Sequence, residues 1–382
     1  MKYDTLLRFS RILMIFSLTA HSQFHIKGTL HIAEKGQLSF HTDLINNGDF
    51  DDNYGRTFFY HADRELTVSG NNKPVFYDMT VHVINDLYLE VPVGITRFKE
   101  FISGRIHTPR DIPTIYLGFK NDAPYLGETN TAHIDGYSSN KGLLDFTFPI
   151  GDEYMLRPMK IEAGGSLGKA LGAYFSENPN IPSTFTHNFD TSKHDPSIAI
   201  ISTYEFWDLN STTETKVTLT WNTDSHIASM AGDLSHLRVV GWSIQEQKWV
   251  NLGNTSFSGD FTNGTLTSSS FLPDNYEVLT IGSVLKNGDN ILVYAAMSPN
   301  GDGSNDTLII RGIESDPNNE ITIYNLWGVQ VYHKKGYDNS WTGVSEGRAT
   351  IPSKKDLPAG TYYYILKLSD QPNQAGYIYI HK

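Results

Sequence analysis

The sequence contains no cysteine among its 382 residues. Disulfides, thiolate zinc sites, iron–sulfur clusters and cysteine nucleophiles are therefore excluded, because each of them needs a thiol. Long basic runs are also missing, and 30 Lys and Arg stand against 42 Asp and Glu, a net charge of −12. Nucleic-acid binders show a basic patch or stripe, so we expect no nucleic-acid partner.

No apolar run reaches the roughly 18 residues of a membrane-spanning helix, so we expect no transmembrane segment. The short apolar run at 12–20 follows Lys2, Arg8 and Arg11 and ends with the small residues Ala20 and Ser22. This order is typical of a secretory signal peptide. We predict that residues 1–22 are cleaved during export through the inner membrane. The mature chain would then carry 27 basic against 41 acidic residues, a net charge of −14.

The chain is longer than one compact core usually needs, which predicts two or three domains. Residues 23–161 contain short alternating strands, separated by turns rich in Asn and Gly, at 24–26, 38–40, 66–68, 80–83 and 87–89. No amphipathic helix separates them, so they predict stacked turns of a β-solenoid or a strongly coiled sheet. The segments 103–108 and 142–152 resemble a region common in Bacteroidota surface proteins.

Residues 162–286 contain longer strands, at 217–221, 237–242, 248–252 and 276–282, joined by loops rich in Ser, Thr and Asn. This spacing predicts an antiparallel β-sandwich. Trp221, Trp242 and Trp249 lie in these strands. Core packing is one interpretation of the three rings. The alternative is a platform that stacks on sugar rings and would make the chain a polysaccharide-binding surface protein; the exposure of the rings decides between the two.

The pattern G-x-S-x-G occurs at 164–168 with Ser166 at its centre, and Asp190 and His194 follow. A hydrolase nucleophile elbow needs a strand that leads into a strong helix, but Gly172 interrupts the segment that follows. A serine hydrolase is therefore a remote alternative, which needs Ser166, Asp190 and His194 within hydrogen-bond reach. Phosphate-loop and dinucleotide-binding glycine motifs are absent from the sequence. We predict a protein that is not an enzyme, with no catalytic residue and no organic cofactor.

Residues 287–382 contain five motifs in a fixed order. Their residues are Pro299, Asn300, Gly301, Asp302, Gly303, Asn305, Asp306, Asn325, Trp327, Gly328, Tyr332, Trp341, Gly343, Pro358, Gly360, Thr361 and Tyr362. This series resembles the gliding motility-associated C-terminal domain, the type B sorting domain of the type IX secretion system. The resemblance implies an Ig-like β-sandwich that the secretion machinery reads at the outer membrane, and a protein that is secreted or held on the outer cell surface.

The residues of this block agree with a small β domain. Strand-like alternation at 321–324 and at 329–331, on either side of Trp327-Gly328, predicts a β-hairpin. A tyrosine-rich strand follows Pro358 and Gly360, and a final strand runs to the end of the chain. We therefore expect truncation of the C-terminus to damage the domain.

One candidate metal site lies in the first of these motifs. Asn300, Asp302, Ser304 and Asp306 place side-chain oxygens at every second position, as calcium loops do. The sixth and twelfth positions of the loop are Asn305 and Arg311, so this is not an EF-hand. A turn whose Asn and Asp side chains bond to their own backbone is the alternative.

Together these observations predict an all-β exported protein. Its parts are a signal peptide at 1–22, a solenoid-like region at 23–161, a β-sandwich at 162–286 and a sorting domain at 287–382. We expect a structural or adhesive role at the cell surface, linked to gliding motility. The expected partners are the type IX secretion machinery and, for the exported part, surface glycans or other cells.

Overall fold

The computed structural model describes residues 22–162, 168–284, 291–301, 305–313, 316–346, 355–369 and 373–381. Over these residues the protein is nearly all β, which confirms the predicted fold class. Helical turns are short, at Thr223–Ser225, Ile227–Met230, Leu234–His236 and Pro273–Asn275. Among the described residues, no helix has the length and apolar character needed to cross a membrane. The predicted signal peptide lies outside the described residues except for its last residue.

The N-terminal part is a β-solenoid of about 6 turns, as predicted. Its strands are β1 (Gln23–Ile26), β2 (Gln37–Phe40), β3 (Asp43–Asn46), β4 (Arg56–His61), β5 (Leu66–Gly70), β6 (Val75–Val83), β7 (Leu87–Leu89), β8 (Val93–Ser103), β9 (Ile106–His107), β10 (Leu117–Lys120), β11 (Tyr125–Leu126), β12 (Ile134–Asp135), β13 (Ser138–Lys141), β14 (Phe146–Phe148) and β15 (Ile150–Gly151). One parallel sheet has the order β1-β3-β5-β7-β9-β12-β15, and a second begins β2-β4-β6-β8-β10-β13.

The solenoid is held together by rows of identical or similar apolar residues that stack from turn to turn. One such row pairs Leu66, Leu87, Ile106, Ile134 and Ile150 in register, and all five are fully buried. Each turn alone leaves its apolar face open, so stacking on the next turn is what buries it. The short alternating strands of the sequence therefore become stable only as a stack.

Asparagine and glycine shape the corners between the strands. The Asn46 side chain donates to the Asn72 carbonyl, and the Asn72 side chain donates to the Gly48 carbonyl. Gly70 has a φ of 120°, and a Cβ there would lie 2.2 Å from the Asn46 oxygen. Only glycine can occupy this position, because an L side chain would meet backbone from the preceding turn.

A β-sandwich follows the solenoid. Its strands are β16 (Met159–Ile161), β17 (Ala170–Phe175), β18 (Ile198–Ile201), β19 (Phe206–Asn210), β20 (Val217–Trp221), β21 (Leu237–Ser243), β22 (Lys248–Asn251), β23 (Ser256–Gly259), β24 (Gly264–Thr267) and β25 (Tyr276–Val284). One layer is a five-stranded sheet with the order β14-β16-β20-β24-β23. The other layer continues the second solenoid sheet in the order β13-β17-β19-β25-β21-β22, with β18 beside β25.

The solenoid and the sandwich share one continuous sheet and one large core, and a second cluster of buried residues lies on the other face of that sheet. Strand β13 pairs with β17 in antiparallel fashion, which is where the parallel order of the solenoid ends. A single cluster of buried apolar residues extends from Ile26 in the first solenoid turn to Ile281 in β25. Strands β14 and β16 precede residue 162 but already pair within the five-stranded sheet. The change from solenoid to sandwich is thus gradual and does not fall at one residue.

The C-terminal part forms a separate β domain. Its strands are β26 (Leu292–Val293), β27 (Ala296–Met297), β28 (Ile310–Arg311), β29 (Glu320–Tyr324), β30 (Gln330–Lys335), β31 (Gly360–Lys367) and β32 (Gln374–Ile380). A five-stranded sheet has the order β27-β32-β31-β29-β30, and β26 pairs with β28. Strands β29 and β30 form the predicted hairpin.

Candidate functional site

The C-terminal domain has a hydrophobic core of its own. All members of this core lie between Ile291 and Ile380, and they include Leu308, Trp341 and Leu357. A hydrogen bond joins this domain to the sandwich: Arg311 Nη1 donates to the Ala199 carbonyl at 2.9 Å. A separate core is what a domain needs to fold as a unit, so the C-terminal residues form a module distinct from the solenoid and sandwich.

The first motif forms a loop that its own side chain closes. The Asp306 Oδ1 atom accepts backbone N–H groups from Asn300 at 3.0 Å and Gly301 at 2.7 Å. Gly301 and Asn305 have φ values of 80° and 53°, the left-handed conformation that Gly and Asn tolerate best. These hydrogen bonds are those expected of the turn interpretation.

The structure describes two of the four proposed calcium ligands, Asn300 and Asp306. The other two, Asp302 and Ser304, lie outside the described residues, together with Gly303. Within the described residues, no group of three or more His, Asp and Glu side chains is placed to hold a metal ion. Calcium binding by Asn300, Asp302, Ser304 and Asp306 therefore stays a prediction.

The second motif is a tight turn that joins β29 to β30. Asn325 is buried, and its Oδ1 atom accepts the backbone N–H groups of Trp327 at 3.0 Å and Val329 at 2.9 Å. Gly328 has a φ of 74° and donates its N–H to the Asn325 carbonyl. The turn holds Leu326 and Trp327 outwards, and the Trp327 side chain is 83% exposed.

The remaining motifs build the core and its edges. The Trp341 ring stacks on Tyr332 with centroids 5.1 Å apart, and its Nε1 atom donates to the Val344 carbonyl. Burial raises the pKa of Tyr332 to about 12. Gly343 has a φ of 78° and accepts the N–H of the core residue Leu357. These motif residues therefore specify the fold of the domain.

The last motif starts the central strand of the sheet. The Tyr362 hydroxyl donates to the Pro358 carbonyl at 2.9 Å, which fixes the corner that contains Gly360. Gly360 has a φ of 152°, and Thr361 after it is exposed. Across the sheet, Thr361 pairs with Tyr379 of the final strand. The final strand thus completes the sheet beside β31, in agreement with the predicted C-terminal strand.

The three sandwich tryptophans are core residues, so the core-packing interpretation is confirmed and the alternative of a sugar platform at these rings is wrong. Trp221, Trp242 and Trp249 are at most 3% exposed. The Trp221 and Trp249 indoles donate to the carbonyls of Asp260 and Phe189. Trp221 lies in the core between the two layers, whereas Phe189 of the segment 176–197 packs on Trp242 and Trp249 on the other face of the second sheet. A buried ring cannot stack on a sugar from solvent.

The hydrolase alternative receives no support from its two described members. Asp190 Oδ1 accepts from the backbone and hydroxyl of Ser192, and His194 Nδ1 is bonded to the Asp195 carbonyl at 2.9 Å. Between these two described residues no hydrogen bond joins the carboxylate to the ring. Ser166 lies outside the described residues. The prediction that the chain is not an enzyme stays a prediction.

Sequence reasoning missed a buried ion pair between the two layers of the sandwich. Arg157 Nη2 lies 2.8 Å from Glu205 Oε2, and both side chains are at most 3% exposed. Tyr174 donates to the same carboxylate oxygen, and Arg157 also donates to Ser225 Oγ at 2.7 Å. The charges compensate each other inside the fold, which indicates a structural pair. No sequence signal points to it, because 48 residues separate the partners.

The described features define a modular, solenoid-bearing β protein with a folded C-terminal module. Residues 291–380 match the family described as the CHU_C Type IX secretion signal domain. The C-terminal domain is therefore a type IX secretion signal domain, which confirms the resemblance seen in the motifs. No curated protein matches the chain. No solved structure matches it either.

Proposed function

We propose that this chain is an exported structural or adhesive protein, delivered by its C-terminal domain to the outer cell surface or the medium. The observation that carries the proposal is the type IX secretion signal domain at 291–380. Its separate core supports a division of labour in which the signal is one folded unit and the solenoid with its sandwich is the cargo.

The outward faces of the solenoid support a role in surface contact. His41, Tyr60 and His82 form an aromatic ladder across successive turns, with centroids 5.5 Å and 5.1 Å apart, and Tyr60 is 41% exposed. Repeated side chains at the spacing of β-strands suit extended ligands or neighbouring surfaces, as in other solenoid proteins. The proposal includes surface glycans or other cells as the contacted partners, and gliding as one process in which such contact is used.

Localisation tests the export part. The full chain and a chain lacking residues 287–382 are expressed in a bacterium with a type IX system, and each is located by fractionation and by protease added to intact cells. We expect the full chain at the surface or in the medium and the shortened chain in the periplasm. The solenoid and sandwich clusters contain no residue from this segment, so the shortened chain should stay folded. Equal localisation of the two chains would contradict the proposal.

Attachment tests the cargo role. A strain lacking the gene is compared with a strain that carries it and with one that carries the shortened chain. We expect attachment to surfaces or to other cells, and spreading by gliding, to fall in the first and third strains. The shortened chain separates the presence of the protein from its exposure outside the cell. Unchanged attachment and spreading in all three strains would contradict a structural or adhesive role.

A further inference from the structure

One face of the C-terminal sheet is open to solvent, and it is unusually aromatic at one end. Side chains along β31 and β32 alternate between the core and the outside. Tyr362 and Ile378 face inwards, whereas Tyr363 and Tyr377 pair with each other on the outside and are 46% and 61% exposed. Outer positions of a one-sided antiparallel sheet are ordinarily polar.

The outward-facing tyrosines, of which Tyr324 is half-buried and the others are exposed, form a short row across three strands. Tyr324 at the end of β29 pairs with Tyr363, which pairs with Tyr377, and Tyr379 lies next to this row opposite Thr361. The turn that holds Leu326 and Trp327 outwards follows Tyr324 directly. The turn and the row therefore lie at the same end of the sheet. We call this set the aromatic end: Tyr324, Leu326, Trp327, Tyr363, Tyr377 and Tyr379.

The opposite end of the same face is charged. Glu320 Oε1 lies 3.1 Å from Lys367 Nζ, and Glu320 Oε2 lies 3.7 Å from Lys335 Nζ. The hydrogen bond from Lys367 helps to hold the pKa of Glu320 below its usual range. The charged side chains at this end thus pair with one another within the domain. In the described part of the chain, by contrast, the hydroxyls of Tyr363 and Tyr377 make no hydrogen bond with protein.

The exposure of the aromatic end is built into the fold. Trp327 is the most exposed large apolar residue of the described chain, although the turn beneath it is fixed by a buried asparagine. A tryptophan on a fixed turn has only its two side-chain torsions to order on binding, and Trp and Tyr are among the residues that most often dominate interfaces. A group of exposed aromatic side chains at one end of a sheet is the kind of surface feature that marks an interaction site.

We propose that the aromatic end is the surface by which the type IX secretion machinery binds the domain. The partner is a protein of that machinery with an apolar pocket for the Trp327 ring and, around it, hydrogen-bond acceptors for the tyrosine hydroxyls. This inference rests on the proposed export function and identifies the surface of the signal domain that the machinery binds. The motifs that build the core then serve to position this binding surface.

The chemistry of the patch favours a protein over a lipid surface. Membrane-surface segments combine aromatic side chains with Lys or Arg that bind anionic head groups. None of the six residues of the aromatic end is basic, and Lys335 and Lys367 lie at the far end of the sheet. A second copy of the chain and a lipid surface are therefore outcomes that the test must separate from the proposed partner.

The first test compares export of full-length variants in the same cells as above. Trp327→Ala and the double change Trp327→Ala with Tyr377→Ala are matched with Ile181→Ala, an equally exposed residue of the sandwich at 77%, and with Lys367→Ala at the charged end. We expect the protease-accessible fraction to fall at least about tenfold in the double variant, since an anchor of this type contributes roughly 1.4 kcal/mol or more. The two controls should be exported like the unchanged chain.

The melting midpoint of each purified variant shows that its fold is kept, because exposed side chains contribute little to stability. If the double variant is exported normally while the chain lacking 287–382 is retained, this inference is wrong and the export function stands. If the shortened chain is exported as well, the export function itself fails.

The second test identifies the partner. A photo-crosslinking amino acid is placed at position 327 or, as the control, at position 367 of the full chain, and cells are irradiated during export. We expect a crosslink from position 327 to an outer-membrane component of the secretion machinery and none from position 367. A crosslink to a second copy, a crosslink to lipid, or no crosslink from position 327 would overturn the proposal.

Discussion

The Tyr137 hydroxyl donates a hydrogen bond of 2.6 Å to the Asp208 carboxylate. Tyr137 precedes β13 in the last solenoid turn, and Asp208 lies in β19 of the sandwich. Both side chains are buried, and burial raises the pKa of each of them. This bond ties the solenoid to the sandwich across 71 residues of sequence, next to the place where the parallel sheet becomes antiparallel.

We expect Tyr137→Phe to lower the free energy of unfolding by about 1–3 kcal/mol, because it leaves the buried Asp208 Oδ2 atom without its donor, while Asn210 still donates to Oδ1. Denaturant unfolding monitored by tryptophan fluorescence measures the change. Tyr154→Phe is the matched control, since Tyr154 is 71% exposed and should change stability by less than about 0.5 kcal/mol. Equal stability of the two variants would show that the bond does not contribute.

Asp208 should make stability fall as the pH rises. Burial raises its pKa to about 6 in the folded protein, against about 3.9 in an unfolded chain. The folded state binds this proton more tightly than the unfolded state does. Its contribution to the free energy of unfolding is therefore present below about pH 4 and is lost as the pH rises through about 6. The free energy of unfolding of Asp208→Asn, relative to the unchanged protein, should therefore rise by about 2 kcal/mol from pH 4 to pH 7. Urea unfolding at four pH values measures the change, with Asp51→Asn at an exposed position as the control.

Lys99→Met should stabilise the solenoid. Lys99 is fully buried, its Nζ atom donates to the Glu100 carbonyl and lies 3.8 Å from the Phe101 ring centroid, and burial holds its pKa well below the usual range. A methionine of similar shape removes the penalty of burying an ammonium, so we expect a gain of about 1–3 kcal/mol at pH 7. The gain should shrink as the pH rises towards 10, where the unfolded lysine also becomes neutral. Exposed Lys27→Met is the control, and a loss of stability in Lys99→Met would refute the argument.

Trp341→Ala should unfold the C-terminal domain without unfolding the rest. The ring is 3% exposed within the core of that domain, and its loss is expected to remove about 3–5 kcal/mol. Limited proteolysis should then cut between residues 287 and 382 and leave the solenoid and sandwich intact. Trp327→Ala, at the exposed turn, should resist proteolysis like the unchanged chain. Cleavage spread over the whole chain would argue against separate cores.

Asp306→Ala should lower the melting midpoint of the C-terminal domain, because the carboxylate accepts two backbone N–H groups that close its loop. We expect a loss of about 1 kcal/mol or more. Melting with added calcium and with a chelator tests the metal hypothesis on the same samples. A midpoint that rises with calcium in the unchanged chain, but not in Asp306→Ala, would support a cation at this loop; equal midpoints would support the turn alone.

Several parts of the fold could be predicted because their signals are local. Alternation with period two marked strands such as β7 and β20, and the Asn- and Gly-rich segments marked the corners of the solenoid. The hairpin of β29 and β30 followed from alternation on both sides of Trp327-Gly328. The secretion signal was recognisable because its motifs occur in a fixed order over residues 291–380.

The candidate surfaces could not be predicted in the same way. Trp221 ends strand β20 and Trp327 lies in the turn after β29, but the first is 1% and the second 83% exposed. The difference arises because Trp221 belongs to the core shared by the sandwich layers, whereas the turn held by Asn325 projects Trp327 into solvent. Which strand lies opposite a given residue depends on chain segments far away in sequence.

The sequence by itself determined the secondary-structure class and the corners of the solenoid, because each depends on residues within a few positions of one another, and the family of the C-terminal domain, because its motifs follow one another in a fixed order. Only the tertiary structure decided that β13 continues into β17, that Tyr137 meets Asp208 and that one end of the final sheet leaves its aromatic side chains exposed. Pairing between strands and burial of their faces are long-range events, in which water is excluded by whichever segments fold together.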